Sequence, residues 1–150
     1  MQLHALPLQV PDRLDERVRP HVNLRFDAFY NLIHNNLALV PTLASEAYFD
    51  RKFSSTVITS LVTGVPVIVT SRFLKSYSFL SPDTVFLQWN SEPTMDAALR
   101  VLQLSNADLL NIRRSVSRLR EDLNGMAGRR LEGIIQAAMA KPDAGTLPPL

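Results

Sequence analysis

The chain has 150 residues, 46% of them hydrophobic and 20% charged, with a net charge of +2 and no cysteine. That balance supports a single hydrophobic core and excludes global disorder, while the missing cysteines exclude disulfides, thiolate metal sites and a thiol nucleophile. A net charge so near zero argues against nucleic acid as a partner, which calls for a dense basic face, and no apolar run approaches the ~20 residues that span a bilayer.

Residues 1–20 read as a short apolar stretch from Leu3 to Val10, interrupted by Pro7, followed by a polar connection flanked by prolines. The start lacks a basic region and a long apolar run, so no secretory signal is expected and a cytoplasmic location is. Golgi or membrane association would follow if a longer form carried an anchor. A helix is expected from an N-cap at Asp27, with Phe29, Tyr30 and Ile33 at helical spacing and a stop at Asn35-Asn36. Residues 37–41, LALVP, read as a short buried strand closed by proline. Residues 42–53 form a loop carrying Glu46, Tyr48, Asp50, Arg51 and Lys52.

SSTVITSLVTG then predicts a helix capped by its serines, with Val57, Ile58, Leu61 and Val62 on one side and Gly64 as its stop. The β-branched run VPVIVT predicts a parallel strand buried on both faces. A polar and aromatic segment, SRFLKSYSFLSPD, leads to a last strand, TVFLQW. Three helices are expected beyond it, over 94–104, 108–124 and 129–141. In the second, Leu109, Ile112, Val116, Leu119 and Leu123 form an amphipathic stripe. The tail, 142–150, reads as disordered. Strands alternating with helices point to an α/β fold with a parallel sheet, one unit over 1–141.

The junction between the 37–41 strand and the helix beginning near Ser54 has the chemistry of an anion site. Helix starts expose unpaired N–H groups and a partial positive charge. Ser54, Ser55 and Thr56 add hydroxyls there, and Arg51 and Lys52 add charge just before them. In open α/β sheets, ligands sit outside the carboxyl ends of the strands, where this junction falls. A helix cap beside a solvated basic loop accounts for the same residues equally well.

Five elements in this order resemble the carboxyl-terminal, donor-binding domain of GT-B-fold glycosyltransferases: His21-Val22-Asn23-Leu24, Phe26 to Ile33, Leu37 to Pro41, Ser54-Ser55, and Gly64-Val65-Pro66-Val67-Ile68. The resemblance spans roughly residues 18–90. It implies a Rossmann-like parallel sheet with flanking helices and a helical C-terminal region. It also implies a nucleoside-diphosphate sugar as donor for hexosyl transfer to a carbohydrate, protein or lipid acceptor. Under it, Ser54, Ser55 and Thr56 meet the diphosphate, and Lys52 or Arg51 neutralises the leaving group, with no metal and no cofactor beyond the donor. Many retaining members carry a glutamate five residues before the glycine and another eight residues earlier. Here those positions are Thr59 and Arg51, so neither the stereochemistry nor the sugar carries over, and no catalytic residue is assigned. Complete members have a second, amino-terminal domain, so the resemblance implies a fragment without the acceptor half. The opening strand of the donor domain, central in such sheets, is missing as well, which implies an exposed sheet edge and a chain inactive alone.

Other residues favour plainer roles. Glu46 reads as a loop carboxylate, His21 as a surface or structural histidine, and His34 as a helix end favoured by the dipole. Arg113, Arg114, Arg118 and Arg120 read as a solvated face opposite the apolar stripe, and Phe73, Tyr77, Phe79 and Trp89 as the packed rim of the sheet. The alternative function is a non-catalytic interaction domain that packs the amphipathic helices 94–141 against a partner.

Overall fold

The computed structural model of the chain describes residues 18–43 and 45–140. The apolar stretch Leu3–Val10 and the tail 142–150 lie outside the described residues. The fold is mixed α/β and mostly helical: α1 (Phe26–His34), a 3-10 turn (Glu46–Phe49), α2 (Ser55–Thr63), β1 (Val67–Thr70), α3 (Ser71–Ser76), β2 (Val85–Gln88), α4 (Thr94–Leu102) and α5 (Asn106–Met139). β1 and β2 pair in parallel, with Val67 opposite Val85 and Thr70 opposite Gln88.

The strand expected over 37–41 is reduced to one parallel bridge, Leu39 to Val67. The Leu39 N–H donates to the Pro66 carbonyl at 2.9 Å, and the Ile68 N–H donates to the Leu39 carbonyl at 2.8 Å. Among the described residues no strand lies on the far side of this segment, so one bridge is all its pairing. The N-cap of α1 is Arg25, without a side-chain capping bond, and Asp27 sits in the first turn instead. There it faces Arg25 at 3.4 Å, both side chains exposed.

α3 falls inside the polar and aromatic segment SRFLKSYSFLSPD, to which the sequence pattern assigns no element. Thr70 caps it, its hydroxyl accepting from the Phe73 N–H, and the turn buries Phe73 and Tyr77. The two helices expected over 108–124 and 129–141 are one helix. Glycine costs roughly 1 kcal/mol inside a helix but does not forbid one. Gly125 and Gly128 keep helical backbone, since Gly64 is the only described glycine with positive φ.

The sheet separates two apolar clusters. Val67, Val69 and Val85 meet Val57 of α2 together with Phe73, Tyr77 and Leu80. Ile68 and Phe86 meet Ala97 and Val101 of α4, with Leu109 and Ile112 of α5 alongside. This is the alternation expected of a strand covered on both sides. The stripe of α5 packs through the buried Val116, after which every residue from Met126 to Met139 is exposed.

Candidate functional site

α2 connects two segments that run parallel, so it runs opposite to them and begins on the side of their carboxyl ends. It ends at Gly64, whose φ of 70° is left-handed, as its position after the last apolar turn implies. Two hydroxyls lock that end. Ser60 donates to the Val65 carbonyl at 2.6 Å and Thr63 to the Thr59 carbonyl at 2.7 Å.

At the other end Ser54 occupies the N-cap position, but its hydroxyl makes no capping bond. Ser54 is buried, and its N–H donates to the Tyr77 hydroxyl at 3.0 Å. That hydroxyl donates in turn to the Tyr48 carbonyl at 3.0 Å. One buried tyrosine therefore holds both the 3-10 turn and the entry to α2. The sequence pattern places Tyr77 among the rim aromatics, and nothing in it signals where the hydroxyl reaches. Ser55 is exposed and Thr56 half-buried at the first turn, and Thr59 is half-buried one turn on.

Two clefts flank the 3-10 turn. The first, about 230 Å³, opens at the carboxyl ends of the strands, between Pro41, Leu43, Phe49, Thr70, Gln88 and Thr94. The second, about 320 Å³, lies on the other side of Phe49 and is lined by Tyr48, Arg51, Lys52, Phe53, Tyr77 and Phe79. Arg51 and Lys52 thus line the aromatic cleft and not the strand mouth, and Ser54, Ser55, Thr56 and Thr59 line neither. The expected constellation is adjacent along the chain but is not gathered into one pocket.

Both cations stay exposed: Arg51 pairs with Asp50 at 3.4 Å, and the Lys52 ammonium stands 5.8 Å from the Tyr48 ring centre. An exposed pair of this kind adds little stability and leaves its charge accessible. Phe53 stacks on Phe79 at 5.9 Å and meets Tyr77 edge-on at 5.3 Å, forming the cleft's aromatic wall. Glu46 is engaged elsewhere, ion-paired with Arg72, whose guanidinium lies 4.1 Å from the Phe49 ring centre.

The arginines of α5 are not simply solvated. Arg113 donates to the His34 carbonyl at 2.8 Å and the Asn36 carbonyl at 3.0 Å, at the end of α1. Arg120 donates to the Val62 carbonyl at 3.3 Å in the last turn of α2. His34 Nδ1 lies 2.9 Å from the Thr63 carbonyl and 3.4 Å from Arg113. A carbonyl only accepts, so the shorter contact puts the proton on Nδ1 and leaves Arg113 bonded to the backbone. These cations satisfy the carbonyls that helix ends leave open. The cleft of about 320 Å³ between His34, Gly64, Arg114 and Arg118 is the space beside that capping.

Beyond β2 the chain turns through a polar clamp. Glu92 accepts from Arg100 at 2.8 and 3.1 Å and from the Trp89 N–H at 2.8 Å. The Arg100 hydrogen bond, then the Trp89 N–H, hold the Glu92 carboxyl below the ordinary carboxylate range. The guanidinium also packs on the Trp89 ring, 4.1 Å from its centre.

No protein-family model matches this chain, and neither does any curated protein or solved structure. Among the described residues no group of three or more carboxylate or histidine side chains is placed to hold a metal. No helix among them is long and apolar enough to cross a membrane.

Proposed function

We propose that this chain is the donor-binding half of a GT-B-type glycosyltransferase and binds the diphosphate of a nucleotide sugar at the start of α2. The observation that carries the reading is a helix start on the carboxyl side of a parallel sheet, with two exposed cations, Lys52 and Arg51, three and four residues before Ser55. Ser55 and Thr56 offer N–H groups and hydroxyls there, and Arg51 and Lys52 lie close enough in sequence to swing toward a bound anion. The adjoining wall of Phe53 and Phe79 would take the flat face of a base. Donors fixed in this way stabilise charge developing on a departing diphosphate without a metal.

Thermal unfolding with UDP, GDP and their sugars tests this. Nucleotide at a hundred times its dissociation constant stabilises by roughly 2.7 kcal/mol. Ser55→Ala and Lys52→Ala should each weaken binding while leaving the fold intact. The reading fails if no nucleotide at millimolar concentration shifts the transition, or if both variants bind as the parent does.

A second reading is a non-catalytic interaction domain. What favours it is the exposed end of α5, where Leu131, Ile134, Ile135 and Met139 continue beyond the packed half of the helix without a covering element among the described residues. A chain that ignores every nucleotide but pulls a partner onto 126–139 would support it.

A further inference from the structure

We infer that two copies of this chain pair edge to edge through residues 37–40, with the outer faces of their α4 helices meeting beside the strands. Leu39 directs both its backbone groups to β1. Successive residues of an extended segment point opposite ways, so Ala38 and Val40 direct theirs outward. Among the described residues no strand receives them. Natural sheet edges are guarded by lysine, proline, a bulge or a covering element. This one reads Leu-Ala-Leu-Val, and its proline, Pro41, comes only after it.

Beside the edge runs an apolar groove of about 260 Å³, lined by Leu37, Val40, Ile68, Ala98, Val101 and Leu102. α4 extends it outward, because Met95 and Leu99 share a helix face with Leu102 while Ala97 and Val101 face the sheet. Leu37, Val40, Met95, Leu99 and Leu102 are each 43–68% exposed. Apart from Asn36, the groove is lined only by apolar side chains.

A second copy fits this surface because the surface complements itself. A two-fold axis perpendicular to the sheet brings the edges together antiparallel. With Leu39 on the axis, Ala38 lies opposite the partner's Val40, and Val40 opposite the partner's Ala38. Both are pairs of the kind that exchange two N–H···O bonds. The same axis keeps the same face of both sheets on one side, so the two α4 stripes meet. A stable interface buries roughly 800 Å² per partner around an apolar centre. The exposed groove and α4 stripe form a patch on the order of several hundred Å², which suits that centre. With no charge lining the groove and a net charge of only +2, repulsion between copies is weak. The pairing does not depend on whether the chain binds a donor.

Sedimentation velocity over a wide concentration range, joined to amide hydrogen exchange, tests the pairing. The weight-average mass should rise from 16.8 kDa toward twice that value, with the Ala38 and Val40 amides slowing in step. Leu102→Glu and, separately, Val40→Lys should hold the mass at one chain, while Leu131→Glu on the far end of α5 leaves the rise unchanged. Circular dichroism shows that each variant is folded. A constant monomer mass overturns the pairing; so does slow exchange at Val40 at every dilution, which would mean that residues 1–17 cover the edge within one chain. A dimer that survives both Leu102→Glu and Val40→Lys overturns it as well.

Discussion

The two sides of β1 are built from the same kind of residue and finished to different degrees. On the Val67 and Val69 side, α2, α3 and the aromatic chain of Phe49, Phe73 and Tyr77 close over the sheet. On the Ile68 side, α4 covers Phe86, but among the described residues nothing covers the groove beside Val40. A buried strand needs cover on both faces and a neighbour on each edge. Where the chain supplies them, side chains interlock and backbone groups are satisfied. Where it does not, apolar area remains to be buried by something else.

The largest expected contrast is between truncations on the two sides. Phe73→Ala should cost about 3–5 kcal/mol, as deletion of a buried ring does. Leu99→Ala on the open side should stay within about 0.5 kcal/mol at concentrations where the chain is a monomer. Chemical denaturation measures both, and equal losses would break the comparison. Tyr77→Phe comes next, because it leaves the buried Ser54 N–H and the Tyr48 carbonyl without their partner, at about 1–3 kcal/mol. If the proposed nucleotide site at α2 depends on the Tyr77 brace, nucleotide affinity falls in the same variant, whereas a purely structural brace would leave it unchanged.

Gly64→Ala should cost about 1–2 kcal/mol through the left-handed backbone alone. The added Cβ would also meet Ser117 Oγ at 3.2 Å, so Ser117→Ala in the same chain should recover part of the loss. The smallest effect concerns the turn after β2. Glu92 has its carboxyl held low in the folded state. Its contribution is therefore present above the ordinary carboxylate range and is lost as pH falls through the folded value. Glu92→Gln should flatten that part of the acid-side loss in unfolding midpoints. An unchanged pH profile would mean that the Arg100 clamp is not formed in solution.

Much of this architecture was legible in the residues. The β-branched run before Thr70, the glycine stop at 64 and the spacing of Leu109, Ile112 and Val116 each state a local preference that tertiary packing did not overrule. Residues 37–41 pair less than their apolar run suggests, because such a run says nothing about whether a neighbour exists. α3 was hidden because its residues are a mixture of polar and aromatic; its cap at Thr70 lies in what the pattern reads as strand. The break expected in α5 at Gly125 and Gly128 did not occur, since glycine weakens a helix by an amount that neighbouring turns can offset. For the candidate site, the sequence assembled Arg51, Lys52 and the serines by adjacency. The structure divides them between an aromatic cleft and a helix start.

The sequence by itself determined the helix–glycine–strand run from Ser55 to Thr70, the second strand at Val85–Gln88 and its parallel pairing, and the basic, hydroxyl-rich approach to α2. These depend on local backbone preference and periodicity, which neighbours along the chain express. Only the tertiary structure decided that Tyr77 holds Ser54, that Arg113 and Arg120 cap helices distant in sequence, and that among the described residues no strand pairs with Ala38 and Val40. Those outcomes depend on which groups meet across 20 or more residues of chain, and the energy of a satisfied or unsatisfied group is set by that meeting.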